Sequence, residues 1–186
     1  MDKERIIAFV GMPGSGKSEA SSYLKDRGIP FLRFGDLTDE EVVNLGIDLT
    51  PDNERMVREK LRKELGMAAY AIKAEPKIKK LLVENSTIGI DGLYSWEEYI
   101  YLKERFPNLT LVHIYAEPQL RYERLSQRPI RPVPYGKSRE RDVMEIENLN
   151  KGGPIAIADY MIENDGEIRE MTEKIDVLLN RIDDGR

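Results

Sequence analysis

The fold of this chain is decided by residues 11–18, which read Gly11-Met12-Pro13-Gly14-Ser15-Gly16-Lys17-Ser18 and match the pattern G-x-x-x-x-G-K-S/T in full. The apolar run 6–10 comes directly before them and predicts a buried strand, because it is short, β-branched and aromatic. Residues 17–25 have a helical composition, and Gly28 suits the end of that helix. The glycine-rich stretch therefore connects a strand to a helix, which is the context that the pattern requires.

A loop of this kind turns its backbone N–H groups inward, and together with the N-terminus of the following helix these groups bind a polyphosphate. The pattern predicts that Lys17 bridges the β- and γ-phosphates of ATP and that the Ser18 hydroxyl binds Mg²⁺. A tight glycine turn with an unrelated lysine is the alternative explanation. The loop residues expected to contact ATP are Gly11, Pro13, Gly14, Ser15, Gly16, Lys17 and Ser18.

Further strand-like runs alternate with helical segments along the rest of the chain. The runs lie at 30–34, 87–90, 109–116 and 160–163. Nearly continuous apolar strands between helices predict a parallel sheet covered on both faces, so the fold class is α/β in three layers. With 186 residues, 40% of them hydrophobic, residues 1–186 are expected to form a single domain.

The composition argues against several classes of protein. The chain has no cysteine, which excludes disulfides and thiolate metal sites and agrees with a cytoplasmic location. No apolar run approaches the length of a membrane span, so we expect no membrane segment. The net charge of −5 predicts no sustained binding to nucleic acid or to an anionic membrane. The sequence leaves open whether the protein is a monomer or a homodimer.

Two aspartates follow predicted strands. Asp91 ends an apolar run and precedes Gly92, at the strand edge where ligands bind in open α/β sheets. Because Mg²⁺ prefers oxygen ligands, Asp91 is the leading candidate for the metal site. Asp36 has the same relation to the second predicted strand, and we expect it to act as a base toward the acceptor hydroxyl or to order the water around the metal. Ordinary turn chemistry remains an alternative for both.

The segment 121–141 carries six arginines and one lysine against two glutamates, although the chain as a whole is acidic. Prolines and a glycine interrupt its middle, so residues 128–137 are predicted to form a surface loop. Arginine binds phosphate bidentately, and the sequence therefore predicts an arginine-rich lid at 121–142 that closes over the transferring phosphate. Within this lid, Arg124 and Arg128 are assigned to catalysis and Arg121 to ATP binding.

Two further segments carry candidate binding residues. Arg58 and Arg62 belong to a basic stripe on a predicted helix, and they are candidates for holding a phosphate of the acceptor. Residues 160–166 form a strand followed by a polar turn, whose Asn164 and Gly166 are expected near the base of the nucleotide. A solvated basic face and an ordinary turn are the respective alternatives.

Several of these stretches together resemble one group of proteins: the loop at 11–18, Asp91-Gly92, Arg121-Tyr122-Glu123-Arg124 and the stretch ADYMIENDG at 158–166. The group is that of the adenylate-kinase-related, dephospho-CoA-kinase-like P-loop proteins, and the resemblance spans most of the chain. It implies a five-stranded parallel sheet in the order 2-3-1-4-5, a helical acceptor-binding insertion at 38–80 and a lid after the fourth strand. It also implies ATP- and Mg²⁺-dependent transfer of the γ-phosphate to a small phosphate-bearing acceptor, such as a nucleotide or a dephospho-CoA-like molecule.

The sequence departs from this pattern at three places. Phe34 stands where adenylate kinases have a small hydroxyl residue, which disfavours AMP as the acceptor. Tyr94 stands where related proteins often carry an arginine. The inserted helices differ from those of dephospho-CoA kinase, so a role in CoA synthesis is unsupported.

Other nucleotide-binding classes fit less well. A small GTPase needs an Asn-Lys-x-Asp guanine reader, and residues 150–153 lack the final aspartate. An AAA-type motor needs a larger chain with arginine fingers between subunits. A nucleotide-sensing protein that binds ATP or AMP with little turnover would use the same loop, and only the abundance of lid arginines favours transfer over sensing.

Overall fold

The computed structural model describes residues 4–129 and 131–183. Its strands, in chain order, are β1 (Arg5–Val10), β2 (Phe31–Arg33), β3 (Thr87–Asp91), β4 (Leu109–Tyr115) and β5 (Tyr160–Glu163). Its helices are α1 (Lys17–Asp26), α2 (Phe34–Asn44), α3 (Pro51–Leu65), α4 (Ala69–Glu84), α5 (Trp96–Arg105), α6 (Pro118–Ser126), α7 (Tyr135–Leu149), α8 (Gly152–Ala156) and α9 (Ile168–Asp183).

The five strands form one parallel sheet in the order β2-β3-β1-β4-β5. This confirms the predicted fold class and the predicted strand order 2-3-1-4-5. β1 lies at the centre, where Ile6 pairs with Ile88 of β3 on one side and with Leu109 of β4 on the other. Because all strands run in the same direction, their carboxyl ends meet at one edge of the sheet. That edge carries the loop at 11–18, Asp91 and Asn164.

The core lies on both faces of the sheet, since alternate residues of a strand point to opposite sides. Ile6, Ala8 and Val10 of β1 belong to one buried cluster, whereas Ile7 and Phe9 belong to another. Each fully buried side chain of this size stabilises the fold by about 1.5–3 kcal/mol. The first cluster includes side chains of α2, α3, α4 and α5, and the second includes side chains of α1 and α9, which gives the three predicted layers.

Local sequence signals place two of the helix starts. The Thr50 side chain accepts a hydrogen bond from the Asn53 backbone N–H at 3.2 Å, and Pro51 occupies the first turn of α3. Ser95 and Glu98 form a reciprocal capping box at the start of α5, with bonds of 3.0 and 3.1 Å. α3 ends at Leu65, directly before Gly66, whose φ is 75°.

Two helical segments flank the ligand edge of the sheet. The predicted insertion at 38–80 lies between β2 and β3, and it begins inside α2 and ends inside α4. The end of α4 belongs to the core rather than to a separate insertion, because Ile78 and Leu82 are buried in the first cluster. Between β4 and β5, the predicted lid at 121–142 consists of most of α6, a loop and the first half of α7, which continues to Leu149. Ile130 of the lid loop lies outside the described residues. Among the described residues, no helix combines the length and the apolar character needed to cross a membrane.

Candidate functional site

A cleft of about 1020 Å³ opens at the carboxyl edge of the sheet. Its lining comes from the glycine-rich loop, from the ends of β2 and β3, from α2, α3 and α4, from the lid helices α6 and α7, and from the segments around Lys151 and Asn164. Segments that are far apart in the chain therefore converge on one space. This is the position in which open α/β sheets bind their ligands.

The glycine-rich loop has a backbone shape that side chains would prevent. Gly14 and Gly16 have φ values of 81° and 99°, a region that residues with a Cβ rarely adopt. A Cβ on Gly14 would lie 2.6 Å from the Arg121 carbonyl oxygen, and one on Gly16 would lie 2.2 Å from Asn164 Nδ2. The loop is therefore tightly packed against the residues that support it.

Two side chains hold the loop from outside. Asn164 Nδ2 donates to the Ser15 carbonyl oxygen at 2.8 Å, and its Oδ1 is buried without a hydrogen-bond partner. Arg121 Nη1 donates to the Pro13 carbonyl oxygen at 2.9 Å, and the guanidinium also pairs with Asp142 at 2.7 Å. Asn164 lines the cleft, but Arg121 is buried away from its lining. Arg121 thus holds the loop in shape, which departs from the direct contact with ATP that we expected.

Lys17 is buried at the floor of the cleft. Its Nζ donates to the Met12 carbonyl oxygen at 3.0 Å and lies 3.4 Å from Ser15 Oγ. Burial, followed by the positive charge of Lys151, lowers the pKa of Lys17 to about 7, although the negative charge of Asp91 acts in the opposite direction. A bound polyphosphate would favour the charged ammonium, so the site is arranged to gain from an anion.

Asp91 and Ser18 lie together beside Lys17. Burial raises the pKa of Asp91, whereas Lys17 and a hydrogen bond from the Ser18 hydroxyl act in the opposite direction. One carboxylate and one hydroxyl fit Mg²⁺, which takes its remaining ligands from water and phosphate. Within residues 4–129 and 131–183, no group of three or more His, Cys, Asp or Glu side chains forms a protein cage for a metal. The residues present therefore suit a magnesium ion that is shared with a nucleotide.

Asp36 occupies a different position from the one we expected. β2 ends at Arg33 and α2 begins at Phe34, so Asp36 lies in the first turn of a helix rather than at the end of a strand. Its carboxylate pairs with Arg33 Nε at 3.0 Å, and its side chain is 55% exposed and absent from the cleft lining. Asp39, one turn further along α2, lines the cleft instead. The role of Asp36 as a base stays a prediction, although its charge is close enough to raise the pKa of Asp91.

The lid presents arginines to the cleft, as predicted for Arg124 and Arg128, and Arg141 joins them. Arg124 Nη1 is buried without a hydrogen-bond partner. Burial lowers the pKa of Arg128, and the charge of Arg141 does so as well. Buried donors without partners are costly, and an anion in the cleft would satisfy them. The contacts of Arg124 and Arg128 with a transferring phosphate stay predictions.

Arg58 and Arg62 of α3 line the part of the cleft that the insertion forms, here called the insertion end. The Arg62 Nε atom is buried without a hydrogen-bond partner, and the guanidinium lies 5.6 Å from the centre of the Tyr70 ring. Arg58 pairs with Glu54 at 3.4 Å, and Arg131 of the lid loop binds the same carboxylate. The insertion and the lid are therefore joined across the cleft through Glu54, which the sequence pattern did not single out.

Several cleft residues had no signal in the sequence, and some expected ones lie elsewhere. The sequence did not assign several lining residues to the site, among them Arg33, Asp39, Glu54, Tyr94, Glu145 and Lys151. Residues 150–153 match only part of a guanine reader, and this sequence pattern does not indicate that the Lys151 side chain lines the cleft. Gly11, Ser15 and Gly166, all expected at the nucleotide, do not line the cleft.

The chain resembles known proteins over most of its length. A family model described as an AAA domain matches residues 7–148, from β1 into α7. A UPF0200 protein from Pyrococcus abyssi is 38% identical and covers 95% of this chain and 96% of its own. The chain belongs to the UPF0200 family and carries this AAA domain. A second UPF0200 protein, from Thermococcus gammatolerans, is 37% identical over 95% of each chain.

Solved structures share the fold of this UPF0200 protein. A Thermus thermophilus protein has a TM-score of 0.63 at 18% identity and covers 96% of this chain and 98% of its own. Shikimate kinase from Acinetobacter baumannii, in complex with shikimate, has a TM-score of 0.55 at 21% identity, with 96% and 94% covered. A gluconokinase from Sinorhizobium meliloti has a TM-score of 0.54 at 17% identity, with 96% and 95% covered. At these identities the similarity shows the fold, which is that of P-loop kinases.

The description of the matched domain as AAA concerns the P-loop domain of this UPF0200 protein. The chain length predicts that the protein is not an AAA-type motor, and this stays a prediction.

Proposed function

We propose that the protein transfers the γ-phosphate of ATP, with Mg²⁺, to a small acceptor that itself carries a phosphate group. One observation carries the proposal: a single cleft is lined by the glycine-rich loop with Lys17, by Arg58 and Arg62 of the insertion, and by arginines of the lid. A protein that only stores a nucleotide has no need of the second cationic end.

The residues of the chain supply positioning and charge, which are the main requirements of phosphoryl transfer. The loop N–H groups and Lys17 would bind the β- and γ-phosphates, while Ser18 and Asp91 would hold Mg²⁺. The metal, when bound, adds charge stabilisation at the phosphate oxygens. Arg124 and Arg128 would neutralise the charge that spreads over the transferring group. Lid closure over the same space would exclude water and so favour transfer over hydrolysis.

The side chains at the insertion end support the proposal that the acceptor is anionic. Arg62 has a buried donor without a partner, and Arg58 now binds a carboxylate, Glu54, where an acceptor phosphate would compete. Phe34 and Tyr70 form a stacked wall beside them, with ring centres 6.3 Å apart. The names of the shikimate kinase and gluconokinase neighbours support a small-molecule acceptor, and the arginine pair favours one that already bears a phosphate.

An acceptor panel tests the proposal. ADP release from Mg-ATP would be measured with nucleoside monophosphates, dephospho-CoA and sugar phosphates, each beside its unphosphorylated counterpart. We expect at least one phosphorylated compound to raise ADP release well above the rate without acceptor, while its counterpart does not. If Mg-ATP binds but no compound raises the rate, the nucleotide-sensing alternative becomes the better explanation. If no nucleoside triphosphate binds, both fail.

The setting of this reaction is also part of the proposal. A cytoplasmic location, the lack of nucleic acid and membrane partners, and a monomeric or homodimeric state all stay predictions from composition.

A further inference from the structure

We infer that Lys151 is a second catalytic lysine, which binds the γ-phosphate of ATP from the lid side of the cleft while Lys17 binds it from the loop side. This inference deepens the proposed function and rests on it. It assigns a role to a residue of the Asn150-Lys151-Gly152-Gly153 segment, which does not fit a guanine reader.

Lys151 is buried in the cleft rather than on the surface. It directly precedes α8, its residue is 3% exposed, and it lines the same cleft as Lys17 and Asp91. Its Nζ donates to Glu145 of α7 and lies 4.5 Å from the centre of the Tyr94 ring. Glu145 and Tyr94 thus fix the direction of the side chain. An ammonium has three donors, and Glu145 is the one hydrogen-bond acceptor seen for it among the described residues, so donor capacity remains for a ligand.

The positive charges of Lys17 and Lys151 are close enough to oppose each other. After burial, the charge of Lys151 is the largest influence that lowers the pKa of Lys17. Arg128 and Arg141 add further positive charge nearby, where Asp91, Glu145 and Asp142 are the carboxylates that act on the two lysines and on Arg128. Gathering buried cations in this way is unfavourable unless an anion binds among them. The γ-phosphate of ATP is an anion of suitable charge at this position.

The location of Lys151 favours the γ-phosphate over the rest of the nucleotide. Lys17 comes from the loop that binds the β- and γ-phosphates, and Asp91 lies beside Ser18 at the expected metal position. Tyr94, which contacts Lys151, follows Asp91 by three residues. In phosphoryl transfer the charge of the moving group spreads over its outer oxygens, so a cation opposite Lys17 would stabilise the transition state.

A structural role is the competing explanation, because the Lys151–Glu145 pair also joins α7 to the start of α8. The two roles make different predictions for Glu145→Gln. If the ion pair alone matters, Glu145→Gln and Lys151→Met have the same effect. If Lys151 binds the γ-phosphate, Glu145→Gln leaves the cation in place and removes a negative charge from the cleft. Glu145→Gln therefore retains ATP binding, whereas Lys151→Met weakens it.

The test compares Mg-ATP with Mg-ADP by titration calorimetry and also measures turnover with ATP. We expect Lys151→Met to weaken ATP binding by about 10- to 100-fold while ADP binding changes little, since a hydrogen-bonded charge pair with the γ-phosphate is lost. We also expect a similar fall in kcat. Lys73→Met is the matched control, because Lys73 forms an ion pair with Glu41 at 2.6 Å and does not line the cleft.

Lys151→Gln provides a second variant if the methionine variant does not fold. Glutamine can still donate to Glu145 but carries no charge, and thermal unfolding of each variant reports whether the fold is intact. The inference is overturned if a folded Lys151 variant keeps the wild-type ratio of ATP to ADP affinity and the wild-type kcat, or if Glu145→Gln reproduces the loss. Failure of the wild-type protein to bind Mg-ATP would instead overturn the proposed function itself.

Discussion

The two ends of the cleft are built in different ways. At the loop end, the groups are held in place by the protein itself: Asn164 and Arg121 bind loop carbonyl oxygens, and Lys17 binds a third. At the insertion end, Arg62 has a buried donor without a partner, and Arg58 shares Glu54 with the lid. A preformed end suits a ligand of fixed shape such as a nucleotide polyphosphate. An end with unsatisfied donors indicates that its ligand completes the site.

The largest effect is expected at the loop end. Lys17→Met should lower turnover by about 100- to 1000-fold, because the charge that stabilises the transferring phosphate is lost. Steady-state ADP release measures the effect. Lys25→Met is the control, since Lys25 is exposed in the last turn of the same helix. Turnover at the wild-type rate in the Lys17 variant would remove Lys17 from the mechanism and with it the role of the loop end.

Gly14→Ala tests whether the loop end is as rigid as its contacts indicate. The added Cβ would lie 2.6 Å from a backbone carbonyl oxygen at a φ of 81°, so we expect a loss of about 1–3 kcal/mol in the free energy of unfolding. Because the loop shape directs its N–H groups, Mg-ATP binding should weaken by about 10- to 100-fold. Thermal unfolding and titration calorimetry measure the two effects.

Gly136→Ala is the matched control for this change. A Cβ at Gly136 in α7 meets nothing within 4 Å, so the substitution should be neutral or slightly stabilising. An unchanged affinity of the Gly14 variant for Mg-ATP would mean that the loop is more adaptable than its packing suggests.

The insertion end predicts a smaller and different loss. Arg62→Met should raise KM for the acceptor that responds in the panel by about 10-fold, while the affinity for Mg-ATP stays close to that of the wild type. Arg55→Met is the control on the same helix, because Arg55 is exposed and pairs with Glu59 at 2.9 Å. A loss of ATP affinity without a change in acceptor KM would show that the two ends have been assigned the wrong way round.

The smallest expected effect is a difference in pH dependence between the ends. The pKa of Lys17 is about 7 in the free protein, and a bound polyphosphate raises it by favouring the ammonium. Binding at pH 8 therefore takes up a proton, and affinity falls by at most about tenfold from pH 7 to pH 8. We expect the acceptor KM, which depends on the insertion end, to stay level over the same range.

Calorimetry of Mg-ATP binding in two buffers of different ionisation enthalpy measures this proton uptake. Lys17→Met should abolish it. Proton uptake that persists in the variant would assign the titration to another group in the cleft.

The two ends also differ in how far the sequence predicts them. The loop end was predicted closely, because its pattern is contiguous and because the ends of parallel strands bring Asp91 to Lys17. Arg121 lies outside the cleft lining, since it pairs with Asp142 of a different helix and this pairing arises only on folding, so its contact with ATP stays a prediction. Asp36 lies in a helix rather than after a strand, because β2 ends one residue earlier than its apolar run, and its catalytic role also stays a prediction.

At the insertion end, the sequence indicated Arg58 and Arg62, and both line the cleft. Arg55, on the same helix, is exposed and pairs with Glu59 instead. Glu54, Asp39 and Lys151 were missed because each belongs to the cleft only through contacts between distant segments. Periodicity places a residue on a face of a helix, but it does not say which other helix that face will meet.

Arg121 of α6 donates to the Pro13 carbonyl oxygen and pairs with Asp142 of α7, so one buried guanidinium connects the glycine-rich loop to both lid helices. Removal of the Asp142 carboxylate would leave that cation without its counter-charge, a change that typically costs about 3–5 kcal/mol. Although Asp142 does not line the cleft, its substitution should therefore weaken nucleotide binding through the glycine-rich loop.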